Sequence, residues 1–258
     1  MSDAAISGSR APRKARHSFY IPRSLLIQPI VVLVVLAAYI VWLANADLAV
    51  SEESLLNASS LLTSTGQHLR LTLISALIVL VIGIPLGVLL TRGPFHRASG
   101  VILAIANVGQ AAPAIGVVVL LAAWLGFNAR AAIVALVLYT ILPVLRNTMI
   151  GLDRVDRRMI EASRGMGMSA TATLLRVELP LASPVILAGV RTALVLLVGA
   201  ATLATFIGAG GLGVFIITGI TLFLPRVILS GALLSALLAL LIDWLGAVIA
   251  YIARPKGI

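Results

Sequence analysis

The chain has 258 residues, of which 60% are hydrophobic and 11% charged, and a mean hydropathy of +1.13; these values lie outside the soluble globular range and read as an integral membrane protein. It has no cysteine, which excludes disulfides, thiolate metal sites and a cysteine nucleophile. The formal net charge of +10 would point to nucleic acid in a soluble domain, but in a membrane chain the placement of the basic residues decides what they mean.

A basic tail, residues 1–23, precedes a first apolar run at 24–44. Ala44-Asn45-Ala46 resembles a signal-peptide cleavage site, yet the run is longer than the about 7–15 residues of a signal peptide's apolar region, and Tyr39 and Trp42 stand where outer-interface anchors belong. An uncleaved first span is therefore expected. Further runs lie at 69–90, 98–125, 131–145, 181–207 and 224–253, against the about 20 residues that a crossing helix needs. The fourth is short as written but extends through 147–150, with Pro143 kinking it rather than ending it. A membrane barrel would instead show strands of about ten residues alternating in polarity. The reading is an all-α integral membrane protein with six transmembrane helices and a single transmembrane domain over 24–258, its core about 65–253.

Orientation follows from Lys and Arg, which favour the cytoplasmic side. With six spans, Arg10, Arg13, Lys14, Arg16 and Arg23, then Arg92 and Arg97, then Arg146, Arg154, Arg157, Arg158, Arg164 and Arg176, then Arg254 and Lys256, all face one side. The other receives Arg70, Arg130 and Arg226 with Asp47, Glu52 and Glu53. Both termini are expected in the cytoplasm, and the basic balance needs no nucleic acid. His17, His68 and His96 are expected in or near polar connections, too scattered for a metal site.

The largest cytoplasmic connection, 153–178, has its own pattern. Val155, Met159, Ala162 and Met166 recur at helical spacing, so a short amphipathic helix is expected. Gly165 and Gly167 should break it, Ser169 can cap a second short helix through Arg176, and Leu179-Pro180 should reset the backbone before span five. A solvated loop, an interfacial helix on lipid headgroups and insertion into a partner's groove all suit this pattern.

Polar groups within the spans normally face protein or water. Asn107 and Gln110, three apart before Pro113, suit either pathway lining or interhelical hydrogen bonding. Arg191 lies eleven residues beyond Pro180 and Asp243 eleven before Arg254, so both sit about 16 Å deep; they either pair or find separate partners. Asp243 is the one carboxylate within a span, so the relay of acids expected of a proton-driven carrier is missing, and no convergent nucleophile, acid/base or metal group marks an enzyme. Gly208-Ala209-Gly210-Gly211-Leu212-Gly213 matches G-x-G-x-x-G, but it follows a membrane span on the outer side, with no strand before it. It reads as an external turn, flexible or gating, with Thr202 and Thr205 on one face just before it.

Glu161-Ala162-Ser163, three residues, Gly167, nine residues and Val177-Glu178-Leu179-Pro180 resemble the cytoplasmic motif E-A-A, three residues, G, nine residues, I-x-L-P of the permeases of binding-protein-dependent ABC importers. Ser163 and Val177 are the departures. Residues 138–148, 185–193 and 201–213 are similar to the branch that imports quaternary amines and related osmoprotectants such as glycine betaine, choline and carnitine; the resemblance covers roughly 65–225. It implies a type I ABC importer transmembrane fold in a bacterial inner membrane. The partners implied are a cytoplasmic ATP-binding subunit, an external substrate-binding protein and a second permease copy or paralogue. In that family the motif is the coupling helix: Glu161, Ala162 and Ser163 on the docked helix, Gly167 at its bend, Val177, Leu179 and Pro180 at its exit. Asn107, Gln110, Arg191, Thr202, Thr205, Gly208, Gly210, Gly211, Gly213 and Asp243 would belong to the translocation path or gate. No cofactor is expected in this chain. Its lysines, Lys14 and Lys256, belong to no phosphate loop, so ATP and Mg would sit on the partner. A secondary transporter or channel is the alternative.

Overall fold

The computed structural model describes residues 23–253; the tail expected at 1–23 lies, apart from Arg23, outside them, as do Arg254 and Lys256. Among the described residues every regular element is helical. α1 (Arg23–Asn45), α3 (Ala58–Leu90), α6 (Ala129–Asp153), α9 (Leu179–Ala201) and α11 (Pro225–Ile252) are long and apolar enough to cross a membrane. The third expected span is not one bent helix but two, α4 (Ser99–Ala111) and α5 (Ala114–Leu125), set 100° apart. At the break Ala112 is extended, with ψ 145°, the conformation that a following proline favours. Pro113 then caps α5. The pair still traverses the length of α6. Ile102 and Leu103 of α4 pack with Leu90, Leu145 and Met149, while Val118 and Ala122 of α5 pack with Ala131, Ala132 and Ala135 at the other end of α6. Counted as one crossing, it completes six spans.

The second span begins well before the expected residue 69. Asn57 caps α3, its Oδ1 accepting from the Ser60 amide at 2.8 Å, and the polar turns from Ser59 to His68 are helical although hydropathy leaves them out. At 33 residues α3 is about 50 Å long, against a hydrocarbon thickness of about 30 Å, so its polar N-terminal turns extend beyond the apolar slab.

α6 is the innermost helix, with 56% of its most apolar window buried against 11% for α1. Without a hydrophobic drive between helices in lipid, close approach depends on small residues. A Cβ on Gly87 of α3 would stand 2.7 Å from Thr148 Cβ of α6, and one on Gly189 of α9 would stand 2.6 Å from the Pro143 carbonyl. α6 continues ten residues beyond Pro143, as expected. Tyr39 is buried, and α1 rests on α11, where Trp244 Nε1 donates to the Leu25 carbonyl at 2.8 Å. On the side of Asp47, α2 (Val50–Leu55) is tied to the start of α11 by Arg226 and Glu52 at 3.2 Å. α10 (Gly213–Thr221) packs beside it through Phe215 and Val227.

Candidate coupling surface and membrane site

Between α6 and α9 the chain leaves the bundle as α7 (Arg157–Gly165), capped by Asp156, whose Oδ1 accepts from the Arg158 amide at 2.9 Å. Gly167 has φ +85°, a conformation open to glycine at little cost. The Gly167 amide donates to Arg164 O at 2.9 Å and the Met168 amide to Ser163 O at 3.2 Å, the paired bonds of a Schellman C-cap. Ser169 Oγ then accepts from the Ala172 amide at 3.2 Å and opens α8 (Ala170–Thr173). Leu179-Pro180 does not separate this helix from span five. α8 runs through a π turn, Leu174–Glu178, straight into α9, with the Leu179 amide bonded to Leu174 O. Pro180 has no N–H to continue the i−4 ladder, and the wider turn just before it absorbs the change of register.

Val155 is buried, but Met159 and Met166 are 51% and 78% exposed, and Ala162 and Glu161 are exposed with them. The inward face is Ile160 and Ser163. Ile160 packs with Leu152, Val155, Leu174, Leu179, Ala182 and Ile186, and Ser163 Oγ donates to the Ile160 carbonyl at 2.8 Å and lies 3.3 Å from the buried Thr173 Oγ1. Serine in place of the motif's alanine therefore has a partner. Val177 and Leu179 are half-buried and Pro180 exposed. A contact that sequence reasoning missed lies here: Arg92, just past α3, forms an ion pair with Glu178, whose side chain is 3% exposed. The signal was an acidic residue within the apolar text Val177-Glu178-Leu179, facing a basic loop assigned to the same side.

At the opposite end α9 tightens into a 3₁₀ turn, Thr202–Ile207, and then the glycines turn the chain. Gly208, Gly210 and Gly211 have φ of +73°, +80° and +95°, and a Cβ on Gly213 would collide with the Thr202 carbonyl. This turn is stitched to α3. Thr205 Oγ1 donates to Gly210 O at 3.0 Å, the Gly211 amide to Gln67 Oε1 at 3.1 Å and the Leu212 amide to His68 Nδ1 at 3.3 Å. Because Nδ1 accepts, Nε2 carries the hydrogen and donates to Val198 O at 3.0 Å. His68 is thus not in a polar connection: it is fully buried and joins α3, α9 and the turn. Thr202 Oγ1 donates to Gly199 O at 2.7 Å.

Within the spans Asn107 is exposed and Gln110 half-buried, and among the described residues neither side-chain amide makes a hydrogen bond, so the glue role lacks its contact. Arg191 and Asp243 do pair. Arg191 Nε and Nη2 lie 3.1 and 2.8 Å from Asp243 Oδ1, and Nη2 lies 2.9 Å from Oδ2. Gln28 of α1, unnoticed in the sequence, donates from Nε2 to the same Oδ2 at 3.1 Å and to Leu240 O at 3.0 Å.

Five long apolar helices and a bent pair gathered around α6, with a glycine turn at one end and a helical projection at the other, are the architecture of a membrane permease. Residues 83–251 match the family described as binding-protein-dependent transport system inner membrane component, and the chain belongs to that family. It is 40% identical over 202 residues, 78% of this chain and 92% of the relative, to the glycine betaine/carnitine/choline transport system permease protein OpuCB of Bacillus subtilis (strain 168). It is 39% identical over 202 residues, again 78% and 92%, to the carnitine transport permease protein OpuCB of Listeria monocytogenes. Among solved structures it resembles a chain of the MetNI methionine ABC transporter in an inward-facing conformation, with a TM-score of 0.66 and 26% identity over 81% of this chain and all of that one.

Proposed function

We infer that the chain is the permease of an ATP-driven importer for quaternary amine osmoprotectants, fed by an external binding protein and powered by a cytoplasmic ATPase that carries the ATP and Mg. Both termini lie in the cytoplasm, and a second copy or a paralogue completes the pore. The observation that carries the coupling role is the construction of residues 157–180. Met159, Glu161, Ala162 and Met166 stand outward on a helix closed by Gly167, while Ser163 and Glu178 hold that helix and its exit to the bundle. α8 and α9 are one continuous rod through Val177, Leu179 and Pro180, so displacement of α7 by a partner is delivered to the centre of the membrane domain. The names of the relatives support quaternary amines as cargo. Asn107, Gln110, Arg191, Thr202, Thr205, Asp243 and the glycine turn at Gly208, Gly210, Gly211 and Gly213 belong to the path and its outer gate.

The test is reconstitution in proteoliposomes with a cognate ATPase and binding protein, followed by uptake of labelled glycine betaine, carnitine and choline. Uptake that needs ATP and the binding protein is expected. Uptake that follows an ion gradient without ATP would refute the reading.

A further inference from the structure

Ala188, Arg191, Thr192, Val195 and Leu196 lie at i, i+3, i+4, i+7 and i+8 along α9 and so share one face. Ile186, Gly189, Ala193 and Leu197, on the other side of the helix, are buried. The shared face lines an open cavity of about 400 Å³ whose further wall is Asp243 of α11, within the about 300–1,000 Å³ of small-molecule pockets. The two charged side chains keep 36% and 25% of their surface exposed. At mid-depth that surface faces a water-filled path rather than lipid, because charge against hydrocarbon is expensive.

The hydrogen bonding around the pair is unequal. Asp243 Oδ1 accepts from Arg191 Nε and Nη2, and Oδ2 accepts from Arg191 Nη2 and Gln28 Nε2. Both carboxylate oxygens therefore already hold two donors, and an ammonium bearing N–H groups finds no vacant acceptor there. A quaternary ammonium has no N–H to satisfy; it requires only negative potential and apolar surface, which Asp243 and the walls of Ala188, Val195 and Leu196 supply. Arg191 Nη1 makes no hydrogen bond among the described residues, so one edge of the guanidinium fork is open to a carboxylate. A net-neutral ion pair also receives a zwitterion without adding net charge to the membrane, whereas a simple cation leaves an excess positive charge.

We propose that this cavity is a transit site for zwitterionic quaternary amines, the carboxylate on the Nη1 edge of Arg191 and the methylated cation against Asp243. The proposal rests on the inferred function and adds a selectivity of the permease itself, separate from that of the binding protein.

The experiment uses the reconstituted complex with one fixed binding protein and compares glycine betaine, a zwitterion, with choline, a cation. In Arg191→Met the uptake ratio of glycine betaine to choline should fall at least tenfold, while Asp243→Asn should depress both solutes. Ala188→Phe fills the cavity while leaving both charges of the pair in place, and should reduce uptake of both solutes with thermal stability unchanged. A purely structural pair predicts instead an unaltered ratio in Arg191→Met and wild-type uptake in Ala188→Phe; either result overturns the proposal. Wild-type complex that moves neither solute overturns the functional reading and the proposal together, so the two failures are distinguishable.

Discussion

Replacing Gly167 isolates the conformational demand of the bend in the proposed coupling segment. Gly167 has φ +85°, and a Cβ added there would meet nothing within 4 Å, so no steric clash enters. For alanine the cost is that of the left-handed region itself, about 1–2 kcal/mol, which weights the closed turn against alternatives by a factor of about 5–30. Asparagine tolerates the region better and should cost less; a β-branched valine should cost more. Because the bend lies outside the spans, membrane insertion and yield should not change. Substrate-stimulated ATP hydrolysis by the reconstituted complex should fall in the order Gly167, Asn, Ala, Val, and exchange protection of the Gly167 and Met168 amides should fall with it. Equal activity across all four forms would refute the requirement for a left-handed residue.

Other substitutions follow from the same contacts. His68→Ala strands the Leu212 amide and the Val198 carbonyl in a buried site; at about 1–3 kcal/mol for each unsatisfied group, a clear fall in thermal stability in detergent is expected, and an unchanged midpoint would refute the clamp. Arg92→Met leaves the buried Glu178 carboxylate unpaired and should be more destabilising than the double variant with Glu178→Met; additive losses would show that the two side chains do not act as a pair. A cysteine at Asn128, unique because the natural chain has none, should react with an impermeant thiol reagent from the outside, as should one at Glu53. Labelling of position 128 from the cytoplasmic side would make α4 and α5 a re-entrant loop and remove one crossing.

Five of the six apolar runs were legible as long apolar helices because apolar length is dictated by the bilayer, which treats each run alike. Hydropathy misplaced boundaries where helix and apolar slab part company: the polar turns from Ser59 to His68 are helical but project beyond it. At 98–125 the proline gives a full break where Pro143 gives none: Ala112 takes the extended conformation that a following proline favours, while Leu142 stays helical. The amphipathic pattern at 153–166 was found through its spacing, but periodicity does not say which face meets the chain's own core: Met159, Ala162 and Met166 are exposed, and Ile160 and Ser163 face inward. Equal depth suggested the Arg191–Asp243 pair, but facing direction depends on helix rotation, which spacing from the membrane edge does not contain. Gln28 and His68 were missed as partners because each meets residues more than a hundred positions away.

The central claim is that the outward face of residues 157–166 docks on the ATPase. With no cysteine in the chain, Met166→Cys supplies one thiol on that face and Leu222→Cys one just past α10, on the opposite side of the bundle. Thiol cross-linking in the purified complex should join position 166, and not position 222, to the ATPase subunit, with cross-linked complex losing ATP-driven uptake. A complex that retains its ATPase yet gives no cross-link from either Met159→Cys or Met166→Cys, and keeps full uptake when both are modified with a bulky reagent, would contradict the assignment.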